Sequence, residues 1–469
     1  MIPIHGFDGR KVAVFGLGLS GIATARALRA GGAAVAAWDD SETARAKATD
    51  AGLPLADLAE IGWQDIAALV LAPGVPLTHP EPHWTVRRAE TFGTEIIGDT
   101  ELFFRELARS GARARVIAIT GTNGKSTTAA LTAHLLRAAG RKVALGGNIG
   151  TAILDLPPPD NTMVYVIEFS SYQIDLTPAL QASSAALLNV TADHLDRHGT
   201  VEHYAGVKAR IFSGLAPGDR AVIGVDDEIC RRIADGLDPG LDVVRVSVLD
   251  RLSDGVVVRE AELAEVVDGE ARAVLDLSGI RSLRGVHNWQ NAAAAYALAR
   301  HEGLDADGIR NGFSSFPGLA HRMEEVGRLG PALFINDSKA TNADAAAKAL
   351  ASFDSIYWIA GGQAKEGGIA DLESYHSRIK RAYLIGEATE PFAETLSGKI
   401  DHVRCGTVEA AVAEAARDAA RACAPEPVVL FSPACASFDQ FPNFVARGDA
   451  FRAAVSGLAG VVMQDREAA

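Results

Sequence analysis

Lys125 and Ser126 are the first side chains along the sequence whose types and spacing specify a chemistry. They belong to the run Gly121-Thr122-Asn123-Gly124-Lys125-Ser126-Thr127. A glycine-rich turn that opens a helix points backbone N–H groups at an anion, and the helix dipole adds to the attraction. In such a loop the lysine reaches the β- and γ-phosphates of a nucleotide, and the hydroxyl binds Mg2+. The expected ligand is ATP. The long form of this loop has a glycine five positions before Gly124, where this chain has Ile119, so the pattern is a shortened one.

Other reactive groups stand where packing alone would not put them. Glu168 ends the run Met163-Val164-Tyr165-Val166-Ile167. A carboxylate at the end of a buried strand suits Mg2+, which takes hard oxygen ligands; capping the next helix is the other reading. The cluster Thr191-Ala192-Asp193-His194-Leu195-Asp196-Arg197-His198 follows another apolar run, with His198 and His203 left as structural. In the last third, Asp337, Lys339, Thr341, Lys365 and Ser437 each follow a strand-like segment. Together they suit a small anionic substrate.

The elements that must position these groups are strands running into loops and helices. The apolar stretch from Val116 leads into the phosphate loop, and Leu131, Leu135 and Leu136 share one helical face before Gly140. Nearer the start, Lys11 to Phe15 reads as a strand, followed by Gly16-Leu17-Gly18-Leu19-Ser20-Gly21, a helix through Ala30 and a second strand ending at Asp39. That is a dinucleotide-type fingerprint, and tight helix–strand packing is its plain alternative. A second phosphate loop about a hundred residues on is more than a dehydrogenase needs. A UDP-type substrate in the first site and ATP in the second explains both. From Gly218 to Gly285 short strand-like pieces suggest a small β-rich addition, and Pro317-Gly318 reads as a hinge.

The fold class expected is α/β in three domains. Residues 1–104 form a Rossmann-like UDP-substrate domain, and residues 105–318 a parallel sheet with the phosphate loop and the β-rich addition. Residues 319–469 form a Rossmann-like amino-acid domain. A net charge of −14 in 469 residues argues against nucleic acid and against an anionic membrane surface. The cysteines, Cys230, Cys405, Cys423 and Cys435, show no metal spacing and read as reduced thiols of a cytoplasmic protein. The first residues do not read as a signal peptide, and no uncharged run approaches the ~18 residues of a spanning helix.

GTNGKST, EFSSYQ, DHLDRH, HNWQN, GLAHRME, NDSKATN and SPACASFDQFPNFVARG together resemble the Mur ligases of bacterial cell-wall synthesis. GLGLSG and the last of these segments point within the family to addition of D-glutamate to UDP-N-acetylmuramoyl-L-alanine. Other amino acids, a folate-linked member and a nucleotide-gated switch are the rival readings. The resemblance implies a cytoplasmic, monomeric enzyme that uses ATP and two Mg2+ sites. It places Leu19, Ser20, Asp39, Gly74, Asn148 and Ser170 on the UDP-substrate side. Gly121 to Thr127, Asn291, Arg322 and Asp337 go to ATP. Lys339, Thr341, Lys365, Ser437, Phe438 and Phe444 go to D-glutamate. It gives catalytic roles to Lys125, Glu168, His194 and Lys208, with Ser126, Glu168, His194 and Lys208 at the metals and a carbamate on Lys208. Without the resemblance, Lys208 reads as a solvated helix lysine. Phe169 stands where the family suggests Leu, and the step from His194 to Lys208 is one residue short.

Overall fold

The computed structural model describes residues 1–365, 367–422 and 424–464; Cys423 lies outside them. The chain forms two compact units. One is Met1–Asp276 with Gln290–Ser314; the other is Leu277–Trp289 with Ser315–Ala469. The helix Val286–His301 gives its first residues to the second unit and the remainder to the first.

The first unit holds two sheets. Four parallel strands stand in the order Ala34–Trp38, Lys11–Phe15, Ile66–Leu71, Glu95–Ile97. Where Lys11–Phe15 turns into the helix Leu19–Ala30, glycine is a spatial requirement. Gly16 has φ +95°, and a Cβ there would lie 2.5 Å from the Ala72 Cβ; a Cβ on Gly21 would lie 1.8 Å from the Gly16 carbonyl oxygen. The chain therefore folds back on itself closely enough to aim the helix start at the sheet's carboxyl end.

The second sheet has nine strands, and Arg115–Thr120, third from one edge, lies between Ser184–Leu187 and Met163–Glu168. Val116, Ile117, Ala118 and Ile119 are all buried, as a strand covered on both faces requires. Burial of each larger side chain contributes about 1.5–3 kcal/mol. The β-rich segment is continuous with this sheet. Strands Arg220–Gly224 and Asp242–Ser247 extend it in parallel, and Gly255–Arg259, Glu262–Val267 and Glu270–Asp276 finish it, the last two pairings antiparallel.

The second unit is a seven-stranded sheet. Its middle runs Ile356–Gly361, Val428–Phe431, Ala332–Asn336, all parallel. The three segments offering Lys365, Ser437 and Asp337 thus follow three adjacent strands at one end of the sheet. Asn342 and Asn443 cap the helices Ala343–Leu350 and Phe444–Ser456 through their side-chain oxygens, supplying acceptors to orphan helix N–H groups. No helix among the described residues is long and apolar enough to cross a membrane.

Two glycine substitutions should move stability in opposite directions. Gly21→Ala forces a methyl into the Gly16 carbonyl and should destabilise by about 1–3 kcal/mol. Gly206→Ala, inside the helix Val201–Ala209 with nothing within 4 Å of the new methyl, should stabilise by about 0.5–1 kcal/mol. Thermal melting of both variants checks the pair.

Candidate active site

The phosphate loop is built from its neighbours. Thr122 N–H donates to the Asn189 carbonyl at 2.8 Å, and Asn123 N–H donates to Asn189 Oδ1 at 2.9 Å. Asn189 Nδ2 returns bonds to the Asn123 carbonyl and to Gln290 Oε1, both 3.2 Å, and Gln290 Nε2 is itself held by Asp226 at 2.8 Å. Gly124 has φ +87°, and a Cβ on it would lie 2.1 Å from Asn291 Oδ1. Asn291 is therefore pressed against the loop, leaving room only for glycine. Asn189, Gln290 and Asp226 are absent from the sequence-derived site. The signal for Asn189 was its place at the end of an apolar run beside the loop's own strand.

Two lysines converge on one oxygen. Lys125 Nζ donates to the Gly121 carbonyl at 2.9 Å and to that of Thr122 at 2.8 Å. Lys208 Nζ donates to the same Gly121 carbonyl at 2.8 Å. Ser126 and Thr127 continue the helix start behind Lys125. Lys208 is 1% exposed and lies over the Tyr204 ring at 4.7 Å. This overturns its reading as a solvated helix lysine. Tyr204 is four residues earlier and also buried, so both occupy the inward stripe of Val201–Ala209. Burial, then the charge of Lys125, pulls the Lys208 pKa well below the ordinary lysine value, against the opposing pull of Asp193, Cys230 and Glu168.

Glu168 pairs in register with Ile119, just before the loop, and is buried. Its Oε1 accepts from Asn148 Nδ2 at 2.7 Å, while Oε2 is buried with no partner among the described residues. An orphaned buried carboxylate oxygen is costly, and a cation would satisfy it. Asn148 thus orients Glu168. His194 has φ +53° and meets the Tyr172 ring edge-on at 5.2 Å. Burial, the largest influence, lowers its pKa. Among the described residues no three His, Cys, Asp or Glu side chains gather as a ready-made metal cage. A metal here would depend on Glu168 together with Lys208, His194 and Ser126.

On the first sheet, Asp39 accepts from the Leu17 and Ser41 N–H groups at 2.7 and 2.8 Å, which fixes the glycine loop. The Ser20 hydroxyl donates to the buried Asp99. Leu19 is 86% exposed, the Gly74 carbonyl accepts from Arg197, and Ser170 caps the helix Ser171–Asp175 in a capping box with Gln173.

In the second unit Asp337 is buried, accepting from Ser432 Oγ at 2.8 Å and Met323 N–H at 3.2 Å. The Arg322 charge acts on it. Lys339 Nζ sits 3.9 Å from the centre of the Phe444 ring. Ser437 is buried, Thr341 half-buried and Lys365 exposed; Phe438 is 70% exposed. Arg447 organises this end of the sheet. It is 1% exposed, and it donates to Ser338 Oγ and O and to the Cys435 and Ala436 carbonyls. The sequence motif contained Arg447 without assigning it a task.

A model of the Mur ligase middle domain matches residues 119–299, and one of the Mur ligase glutamate ligase domain matches residues 321–435. Over 462 residues the chain is 58% identical to the UDP-N-acetylmuramoylalanine–D-glutamate ligase of Nitrobacter winogradskyi, covering 98% of this chain and 99% of that one. The chain belongs to the Mur ligase family. A relative of the same name from Chelativorans sp. is 56% identical, with 98% of each chain covered. Among Mur ligase structures, the fold is similar to that of UDP-N-acetylmuramate-alanine ligase from Thermotoga maritima, with TM-score 0.57 at 19% identity over 94% of this chain and 98% of that one. The chain is accordingly a ligase, and its buried lysine and carboxylate lie within the segment matched to the family's middle domain.

Asp337 gives this Mur ligase a distinct pH signature. Burial, the dominant influence, raises its pKa from 3.8 to about 7. Between those values the folded state binds more protons than the unfolded chain, so the group's contribution to stability falls as pH rises through that window. Asp337→Asn should remove this slope, and its melting temperature should gain on that of the wild type between about pH 4 and pH 7. Melting curves across that range measure it.

Proposed function

We propose that this ligase joins D-glutamate to UDP-N-acetylmuramoyl-L-alanine with ATP, in the cytoplasmic synthesis of peptidoglycan precursors. The carrying observation is the convergence of Lys125 and Lys208 on the Gly121 carbonyl, with the Glu168 carboxylate at the end of the adjacent strand. That arrangement suits the transfer of a phosphoryl group to a carboxylate, where positioning and charge neutralisation supply most of the catalysis. The high identity to ligases of that name across the whole chain supports the choice of substrates.

In this reading residues 1–104 hold the UDP-sugar, residues 105–318 hold ATP and residues 319–469 hold the amino acid. The terminal alanine carboxylate attacks the γ-phosphorus and ADP leaves. The D-glutamate amine then attacks the acyl phosphate carbon, loses its proton, and inorganic phosphate departs from the tetrahedral intermediate. Lys125 balances charge on the transferred group. Asn189 takes the Thr122 and Asn123 N–H groups and so fixes the path of the loop, leaving phosphate to the N–H groups of the helix start that follows. Asn148 holds one Glu168 oxygen and leaves the other, among the described residues, without a partner. Lys208, driven toward the neutral amine, is the form that adds CO2 as a carbamate. Glu168, carbamylated Lys208, His194 and Ser126 would hold Mg2+, whose chemistry is to neutralise the triphosphate and the acyl phosphate. Lys339 and the buried Ser437 supply donors for the D-glutamate carboxylates.

Phosphate release by the purified protein tests the reading. Turnover is expected with ATP, Mg2+, UDP-N-acetylmuramoyl-L-alanine and D-glutamate, and not when L-glutamate, L-alanine or D-alanine replaces D-glutamate. No turnover in any combination would defeat it. Lys208→Ala should lose at least about 10²-fold in kcat and recover in part with added short-chain carboxylic acids. Full activity without them would exclude the carbamate.

A further inference from the structure

Arg197 has no part in the chemistry above, yet it bonds two successive carbonyls and lies on an aromatic ring at the same time. Its Nη1 donates to the Gly74 carbonyl and its Nη2 to the Val75 carbonyl, both at 2.8 Å. Two successive peptide planes are gripped by one planar fork. One face of the guanidinium lies on the Tyr172 ring at 4.6 Å. Among the described residues Arg197 enters no ion pair, so its charge is committed to backbone oxygens and an aromatic face.

Each end of this contact leads to a different part of the site. Gly74 and Val75 belong to the turn after strand Ile66–Leu71, closed by Val75 N–H donating to the Ala72 carbonyl at 3.0 Å. Ala72 N–H donates to the Phe15 carbonyl at 2.9 Å, which sets the turn beside the glycine loop of the first sheet. At the other end, Tyr172 stacks on His198 with ring centres 5.4 Å apart and meets His194 edge-on. His198 is fixed in turn by the Ser171 hydroxyl at 2.9 Å. A second approach reinforces the first: a Cβ on Gly199, φ +76°, would lie 3.0 Å from His79 Nε2.

We propose that Arg197 is a positioning residue that locks the Gly74–Val75 turn of the nucleotide-sugar site to the segment carrying His194. The planar fork, rather than the charge, does the positioning: it bonds both carbonyls while its face rests on the Tyr172 ring, and a lysine ammonium has no planar face to stack there while it donates. The proposal rests on the functional reading above, which gives the nucleotide-sugar to residues 1–104, the segment that contains this turn.

Steady-state kinetics of the full chain with Arg197→Lys and Arg197→Ala test it, with thermal melting of each. Arg197→Lys should raise KM for UDP-N-acetylmuramoyl-L-alanine about tenfold, the loss of one charge-assisted hydrogen bond. KM for ATP and for D-glutamate should stay within about twofold, below the effect of one such bond. Guanidinium added to Arg197→Ala should lower the raised KM toward the wild-type value. An unchanged KM for the nucleotide-sugar in Arg197→Lys would overturn the proposal. So would a uniform rise in all three KM values that tracks a lowered melting temperature. Wild-type turnover with an unaffected Arg197→Lys defeats this inference alone; absence of wild-type turnover defeats the functional reading and this inference with it.

Discussion

The Gly121 carbonyl oxygen is the point on which the phosphate loop and the buried lysine of the first unit meet. A carbonyl has two lone pairs and can accept two donors; here both are lysines. Two full positive charges so close together repel each other, and the strain falls on the one with less water. Lys208 is enclosed by protein, so its proton is the one weakly held. Lys125, at the half-buried helix start, stays within reach of an anion. Burial first, and the nearby charge of Lys125 second, therefore set Lys208 apart from the lysine that shares its acceptor.

Much of the surrounding structure serves to keep that oxygen where it is. Asn189 grips the next two residues of the loop through its backbone and side chain, and Gln290 and Asp226 hold Asn189. Thr120 donates its hydroxyl to the Phe169 carbonyl, tying the strand before the loop to the segment after Glu168. The second unit solves a similar problem with a different device. Arg447 is buried and spends its donors on Ser338, Cys435 and Ala436. It joins the loops that follow two neighbouring strands, and desolvation lowers its own pKa to about 10.

The sequence discloses the parts of this architecture that are local. Strand, glycine turn and helix at Gly121–Thr127 are adjacent in the chain, and the clash that makes Gly21 obligatory lies five residues away at Gly16. The placement of Asp337, Lys339 and Ser437 after apolar runs is likewise visible, because strands end where hydrophobic runs end. What escapes is whatever depends on partners distant in sequence. The bond from Asn148 to Glu168 spans two strands, and that from Asn189 to Asn123 crosses to the neighbouring loop. The burial of Lys208 is the clearest case. Its helix has little amphipathic pattern, and only the tertiary fold shows which stripe faces inward. The nine-stranded sheet swallows the β-rich segment for the same reason: strand pairing is settled across the fold, not along the chain.

Leu19 and Phe438 carry a different consequence. Folding normally hides large apolar side chains, yet these remain 86% and 70% exposed, one in each unit. Covering either completely would yield about 1.5–3 kcal/mol of hydrophobic free energy that the folded protein leaves unclaimed. That reserve is available only to a visiting molecule that brings its own surface. Because neither side chain supports a core, either position can change without taxing the stability of the scaffold beneath.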